Sequence, residues 1–322
     1  MNSLSLDCLS IKVYDRGHDC DWQTLHGLNI KSLSVCFEKK FTNSESLSHA
    51  LSSLTQLELL SIKVKYDGFS TELVQDTPVM PGLSVWLTLH GLSIKSLSLS
   101  LKGKYYGWFE LKYATYIKQS LLSLTQLETL SISVDEYSPG LLEALHGIKI
   151  KRLSLNHEYI ECKRDPKEQF PQSLSSLIQL ETFTLHLYKY IVLQLPQSLK
   201  YFNIYCASLR PSELRDLCDT LTAYSHTIEM SLEFGCASSC LQEYITIHQE
   251  LTERKNVKVK RFRINESPDF SESTIYKREI GGVDDADADD FSIKDCAYQT
   301  FAKCLIDSRI DRISIRLQIG PD

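Results

Sequence analysis

Two spacings of apolar residues alternate along the chain. The first has a period of two, as in Leu33-Ser34-Val35, Leu60-Ser61-Ile62, Leu97-Ser98-Leu99 and Leu130-Ser131-Ile132, where a small polar residue sits between two aliphatic ones. This period predicts strands, with Leu33 and Val35 turned inward and Ser32, Ser34 and Cys36 outward. The second is the three-and-four spacing of a helix, as at Leu47, Ala50, Leu51 and Leu54 following Ser44. Around Leu141 the punctuation is explicit: Ser138 to cap, Pro139 at the first helical position and Gly147 just past the end. Gly27 and Gly91 stop the equivalent segments, so each predicted unit reads strand, loop, helix.

Units of two types alternate. One reads Leu25-His26-Gly27-Leu28-Asn29-Ile30-Lys31-Ser32-Leu33-Ser34-Val35 and returns at Leu89 to Leu99 and at Leu145 to Leu155. The other reads Leu51-Ser52-Ser53-Leu54-Thr55-Gln56-Leu57-Glu58-Leu59-Leu60-Ser61-Ile62 and returns at Leu121 to Ile132 and at Leu174 to Leu185, with Phe183 in place of a leucine. Neither unit is large enough to bury its own apolar face, and stacking supplies the remainder.

Leu54, Leu57, Leu60 and Ile62, and again Leu124, Leu127, Leu130 and Ile132, fit Leu-x-x-Leu-x-x-Leu-x-Leu. The pattern resembles the leucine-rich repeats of the alternating, helix-containing type found in ribonuclease inhibitor and the sensor ends of NACHT-type receptors. The resemblance covers Leu6 to Ile264 and extends more loosely to Leu317; the asparagine usual later in the repeat is missing from most copies. It implies an α/β solenoid, a curved horseshoe with a parallel sheet on its concave face and helices on its convex face. For function it implies a non-catalytic, receptor-like recognition module of the kind used in innate immunity, with the ligand on the concave face and adjoining loops. The rival expectation is an adaptor or autoinhibitory scaffold, such as a substrate-recruiting subunit.

Aligning the units on the residue between the last two apolar positions gives Ser10, Ser34, Ser61, Ser98, Ser131, Ser154, Thr184 and Asn203. Degenerate units follow at Met230-Ser231-Leu232, Phe262-Arg263-Ile264 and Ile313-Ser314-Ile315, for about 11 strands in a sheet on the order of 50 Å long. The expected organisation is a solenoid over 1–264, an acidic polar insertion over 265–292 and a terminal helix-strand cap over 293–322. Because Leu6-x-x-Leu9-x-Ile11 follows Met1 almost directly, the first strand has no capping segment ahead of it. The expectation is the carboxy-terminal part of a larger chain, with a domain upstream.

Composition removes several classes of function. A net charge of −6 and no interleaved aromatic platform argue against nucleic acid. The ten cysteines form no Cys-x-x-Cys pair, which argues against a zinc site and for thiols in a cytoplasmic, reducing setting. The chain has no secretory signal and no membrane-length apolar run. There is no Gly-x-x-x-x-Gly-Lys-Ser/Thr for a nucleotide and no Gly-x-Ser-x-Gly for a serine nucleophile. The run of aspartates at 284–290 fails the calcium-loop test: counted from Asp285, position 6 is Asp290 and position 12 is Cys296, where glycine and glutamate are needed. No cofactor, metal or catalytic residue is predicted, and a protein partner is.

The candidate contact residues are the outward serines Ser34, Ser98 and Ser131, the charges beside them at Lys63, Lys65, Lys102 and Asp135, the pair His186 and Tyr188, and Arg261 and Arg263 in the one basic run. Aromatic residues at 105–109 add a contact or covering cluster. Arg261 and Arg263 are expected to meet an acidic partner or the chain's own aspartate run. His26, His90 and His146 recur before helix-ending glycines, where hydrogen-bonding groups serve the last carbonyls, and are read as structural.

Overall fold

A computed structural model describes residues 5–13, 22–37, 44–64, 81–101, 114–134, 139–157, 174–192, 194–236 and 241–265. The chain is an α/β protein whose described strand pairings are all parallel. It divides into two compact units, one formed by 1–186 with 191–200 and the other by 187–190 with 201–322. The expected eleventh strand near Ile313 and the insertion and cap beyond 265 lie outside the described residues.

Unit 1 carries β1 (Ser5–Val13), β2 (Asn29–Phe37), β3 (Leu59–Val64), β4 (Ser96–Leu101), β5 (Thr129–Val134), β6 (Arg152–His157) and the first part of β7 (Thr182–Lys189), paired in chain order. Between them run a 3₁₀ turn (Trp22–Leu25) and helices α1 (Ser44–Ser53), α2 (Pro81–Leu89), α3 (Ala114–Ser123) and α4 (Pro139–Leu145). The inward residues are fully buried from β2 to β5, including Leu33, Val35, Leu60, Ile62, Leu97, Leu99, Leu130 and Ile132, and Leu47, Ala50 and Leu51 of α1 meet them from the helix layer. Pro139 opens α4 and Gly27, Gly91 and Gly147 stand at φ of 75°, 77° and 78°, as expected, while the expected cap Ser138 lies outside the described residues. That left-handed backbone admits glycine without the penalty a Cβ would bring.

Unit 2 carries β8 (Tyr201–Leu209), α5 (Pro211–Thr222), β9 (Ile228–Cys236), α6 (Leu241–Glu253) and β10 (Val257–Asn265), with β9 between β8 and β10. Its core is more aromatic: Phe234 lies 5.4 Å from Tyr244 and 5.5 Å from Phe262, ring centre to ring centre. It is also less regular. β8 bulges between Cys206 and Leu209 and presses Ala207 against Gly235, where any side chain would strike the Ala207 carbonyl. The side chain of Asn256 closes the end of α5, its amide donating to the carbonyls of Leu221, Thr222 and Tyr224 at 3.0, 3.2 and 3.1 Å. The carbonyls of Thr222 and Tyr224 thereby gain a donor, and that of Leu221, which already accepts the Tyr224 N–H at 3.3 Å, gains a second.

Candidate functional site

Strand periodicity sorts every described strand into an inward row set and an outward one, and the register fixes which outward residues are neighbours. Ser10, Ser34, Ser61, Ser98, Ser131, Ser154 and Thr184 stand opposite one another in sequence across unit 1. The serine column is therefore continuous, and Ser34, Ser98 and Ser131 belong to it. Lys63 stands beside Cys36 and Ser100, and His186 beside Asn156, two residues along from the column. Lys65, Lys102 and Asp135, and the cluster at 105–109, lie outside the described residues, as does the side chain of Tyr188 in β7. At β4 and β5 the outward face is hydroxyl throughout: Ser96, Ser98 and Ser100 beside Thr129, Ser131 and Ser133.

Unit 2 keeps the arrangement and changes the material. Tyr201, Asn203 and Tyr205 of β8 stand opposite Glu229, Ser231 and Glu233 of β9. Those residues in turn stand opposite Lys258, Arg261 and Arg263 of β10. A bulge between Val259 and Arg261 corrects the sequence alignment here. The column residue of the last described strand is Arg261 opposite Ser231, and Arg263 falls one outward position further, opposite Glu233. Sequence alignment could not see the inserted residue, because a bulge changes register without changing composition.

The charges of this face are largely spoken for. Lys258 and Lys260 both reach Glu229, at 3.5 and 3.8 Å, and Arg263 pairs with Glu233 at 3.3 Å with both side chains about four-fifths buried. Arg261 is exposed and, among the described residues, has no hydrogen-bond or ion-pair partner. Tyr201 is 47% exposed, as is Leu59 on β3, and it is the aromatic residue of the two.

A row of alternating charge, not among the residues singled out from the repeat pattern, runs along unit 1 three residues ahead of the column: Asp7, Lys31, Glu58, Lys95, Glu128, Lys151, Glu181 and Lys200. From Lys31 onward each residue is joined to the next by a main-chain hydrogen bond of 2.8–2.9 Å. Lysine side chains reach back to the preceding carboxylate in the pairs Lys31–Asp7, Lys95–Glu58, Lys151–Glu128 and Lys200–Glu181 at 3.3, 3.0, 2.8 and 2.8 Å. The hydrogen bond from Lys151 holds the Glu128 carboxyl below its ordinary range, and that from Lys200 does the same for Glu181. The reverse step between unit types uses another contact, in which the main-chain N–H of Gly91 and Gly147 donates to the hydroxyls of Ser123 and Ser176 at 2.9 and 3.1 Å. Since the pairs are half exposed or more, water screens each one and its individual contribution is small. Their collective effect is on order: skipping a strand would set like charges side by side. The signal was legible as a lysine or an acidic residue two places before the first apolar residue of each strand centre.

Nothing described on these faces resembles catalytic machinery. Burial pushes the Cys206 and Cys218 thiols up to about 12, so neither is a thiolate near neutral pH. His248 is buried against the Phe262 ring, 4.4 Å between centres, and its pKa is lowered by that burial to about 4. Among the described residues no three acidic, histidine or cysteine side chains are grouped to hold a metal. The histidines His26, His90 and His146 are exposed; His26 lines an open surface groove of about 710 Å³ with Gln23, Glu45, Ser46 and His49, formed by the 3₁₀ turn and α1. Among the described residues no helix is long and apolar enough to cross a membrane. Compared with the models of known protein families the chain matches none, and no curated protein matches it.

Proposed function

We propose that the chain is a leucine-rich-repeat solenoid acting as a non-catalytic protein-recognition module, and that the outward face of β8–β10 is its principal contact surface. The observation that carries this reading is the composition of that face. Two outward tyrosines, one of them 47% exposed, flank Asn203 on a strand whose alternate residues Phe202 and Ile204 are fully buried. Tyrosine and arginine on a rigid support are the residues that dominate protein interfaces, because they offer large contact area for little lost side-chain freedom. The all-parallel sheet behind them supplies that support.

The hydroxyl face of unit 1 offers neither aromatic area nor net charge at its centre, so it serves as spacing and support. Poor nucleophiles at Cys206 and Cys218 favour binding over catalysis. The test replaces Tyr205, and separately Tyr116 on the helix layer, with a photo-crosslinking phenylalanine analogue in cells expressing the full chain. A discrete protein adduct is expected from position 205 only. It should survive the triple change Ser34→Arg, Ser98→Arg and Ser131→Arg. Equal labelling from both positions would remove the contact surface from β8–β10.

A further inference from the structure

The face of β8–β10 has a charge arrangement that narrows the class of partner. Four cations, Lys258, Lys260, Arg261 and Arg263, meet two carboxylates, Glu229 and Glu233. Both carboxylates are engaged by Lys258, Lys260 and Arg263. Arg261 is left over: exposed, and in register with Ser231, which is in register with Asn203. A guanidinium with no ion-pair partner among the described residues thus closes a polar row, Asn203–Ser231–Arg261, with Tyr201 and Tyr205 at the two outward positions on either side of Asn203. All this occurs in a chain whose net charge is −6.

We infer that this row receives a carboxylate from an acidic, aromatic-containing segment of a protein partner. Arg261 presents a planar fork that a carboxylate matches with two parallel hydrogen bonds. Ser231 supplies a hydroxyl donor one strand away. The ion pairs at Glu229 and Glu233 hold the two nearby negative charges that would otherwise repel the ligand. The tyrosines flanking Asn203 give the partner's ring or proline side chains a surface to stack on. Nucleic acid fits less well, since the one cation of this face left unpaired among the described residues cannot neutralise the several phosphates that such binding requires. This inference rests on the recognition reading above and adds to it the chemistry of the ligand.

The probe is a fluorescently labelled random copolymer of glutamate and tyrosine, titrated by anisotropy against the full chain, with a single-stranded oligonucleotide of matched charge alongside. Binding of the copolymer is expected, falling tenfold or more in Arg261→Glu and by an intermediate factor in Arg261→Lys, which keeps the charge and loses the fork. Ser98→Arg should leave it within twofold. Because Arg261 is exposed, Arg261→Glu should melt with the parent; if it does not, Arg261→Gln takes its place. No binding by the parent chain overturns the inference. So does an oligonucleotide that binds as tightly with the same dependence on Arg261. If Tyr201→Ala with Tyr205→Ala weakens binding while Arg261→Glu does not, the carboxylate site is wrong and the recognition face stands. If copolymer binding responds to neither change, both readings fail.

Discussion

In unit 1 the outward residues of β4 and β5 are five serines and a threonine, all in register, whereas in unit 2 the same positions of β8 and β9 hold two tyrosines, an asparagine, two glutamates and one serine. The inward residues differ as well: aliphatic but for Phe37 and Phe183 in unit 1, and in unit 2 a more varied set with Phe202, Phe234 and Phe262 among Ile, Met, Leu, Val and Cys. Repetition and individuality are thus separated along one chain. Near-identical units stack because each offers its neighbour the same apolar ridge and the opposite charge. Such regularity leaves little room for a distinctive surface, since a residue chosen for one strand recurs on the next of its type. Unit 2 departs from the repeat at the β8 bulge, Gly235 and Asn256, and there the outward side chains become specific.

The largest expected effects test whether the two units are held by separate cores. Phe234→Ala removes the ring between Tyr244 and Phe262 and should cost about 3–5 kcal/mol. Leu97→Ala, in the aliphatic core of unit 1, should cost about 2–5 kcal/mol. Hydrogen exchange reads the outcome: protection should fall first in β8–β10 for the former and in β3–β5 for the latter. Equal loss in both units after either change would erase the distinction.

A smaller and more selective effect comes from pH. His248 has a folded-state pKa of about 4, against about 6.5 in an unfolded chain. The unfolded state therefore binds the proton more readily, so the stability of unit 2 is full above about pH 6.5 and declines as pH falls towards 4, by at most about 3 kcal/mol. Chemical denaturation between pH 7 and 4 should show this slope, and His248→Leu should flatten it. A slope unchanged by that substitution would mean His248 is protonated without cost.

The smallest effect belongs to the charge row. Glu128→Lys places three lysines in sequence at 95, 128 and 151 and should lower stability only slightly, with the loss shrinking at high salt. Adding Lys151→Glu to the same chain restores the pair between 128 and 151 but not the alternation with its neighbours. Recovery should therefore be partial in a double-mutant cycle. Full additivity would reduce the row to solvated surface charge.

Much of unit 1 was legible beforehand, and the reason is local. A period of two decides which side of a strand faces the core, so Leu33, Ser34 and Val35 announced their own positions. Gly27, Gly91 and Gly147 announced the helix ends, because only glycine takes the backbone they have at no cost. Unit 2 was harder to read. Phe262-Arg263-Ile264 looked like a repeat centre, yet the residue opposite Ser231 is Arg261: the pair facing Met230 and Leu232 is Val259 and Phe262, which the bulge sets three apart, so a period of two passes over it. Tyr201 and Tyr205 carry no motif, and they stand out only once Asn203 is known to occupy an outward column.

What the sequence determined by itself was the alternation: inward leucines, outward serines, and strand, loop and helix in turn, because each follows from the geometry of a few consecutive residues. The repeats also foretold the serine column of unit 1; tertiary structure alone decided which outward residues of β9 and β10 stand together, because register there depends on a bulge and on the packing beneath it. It paired Lys258 and Lys260 with Glu229 and Arg263 with Glu233, and so left Arg261 as the free cation of that face among the described residues.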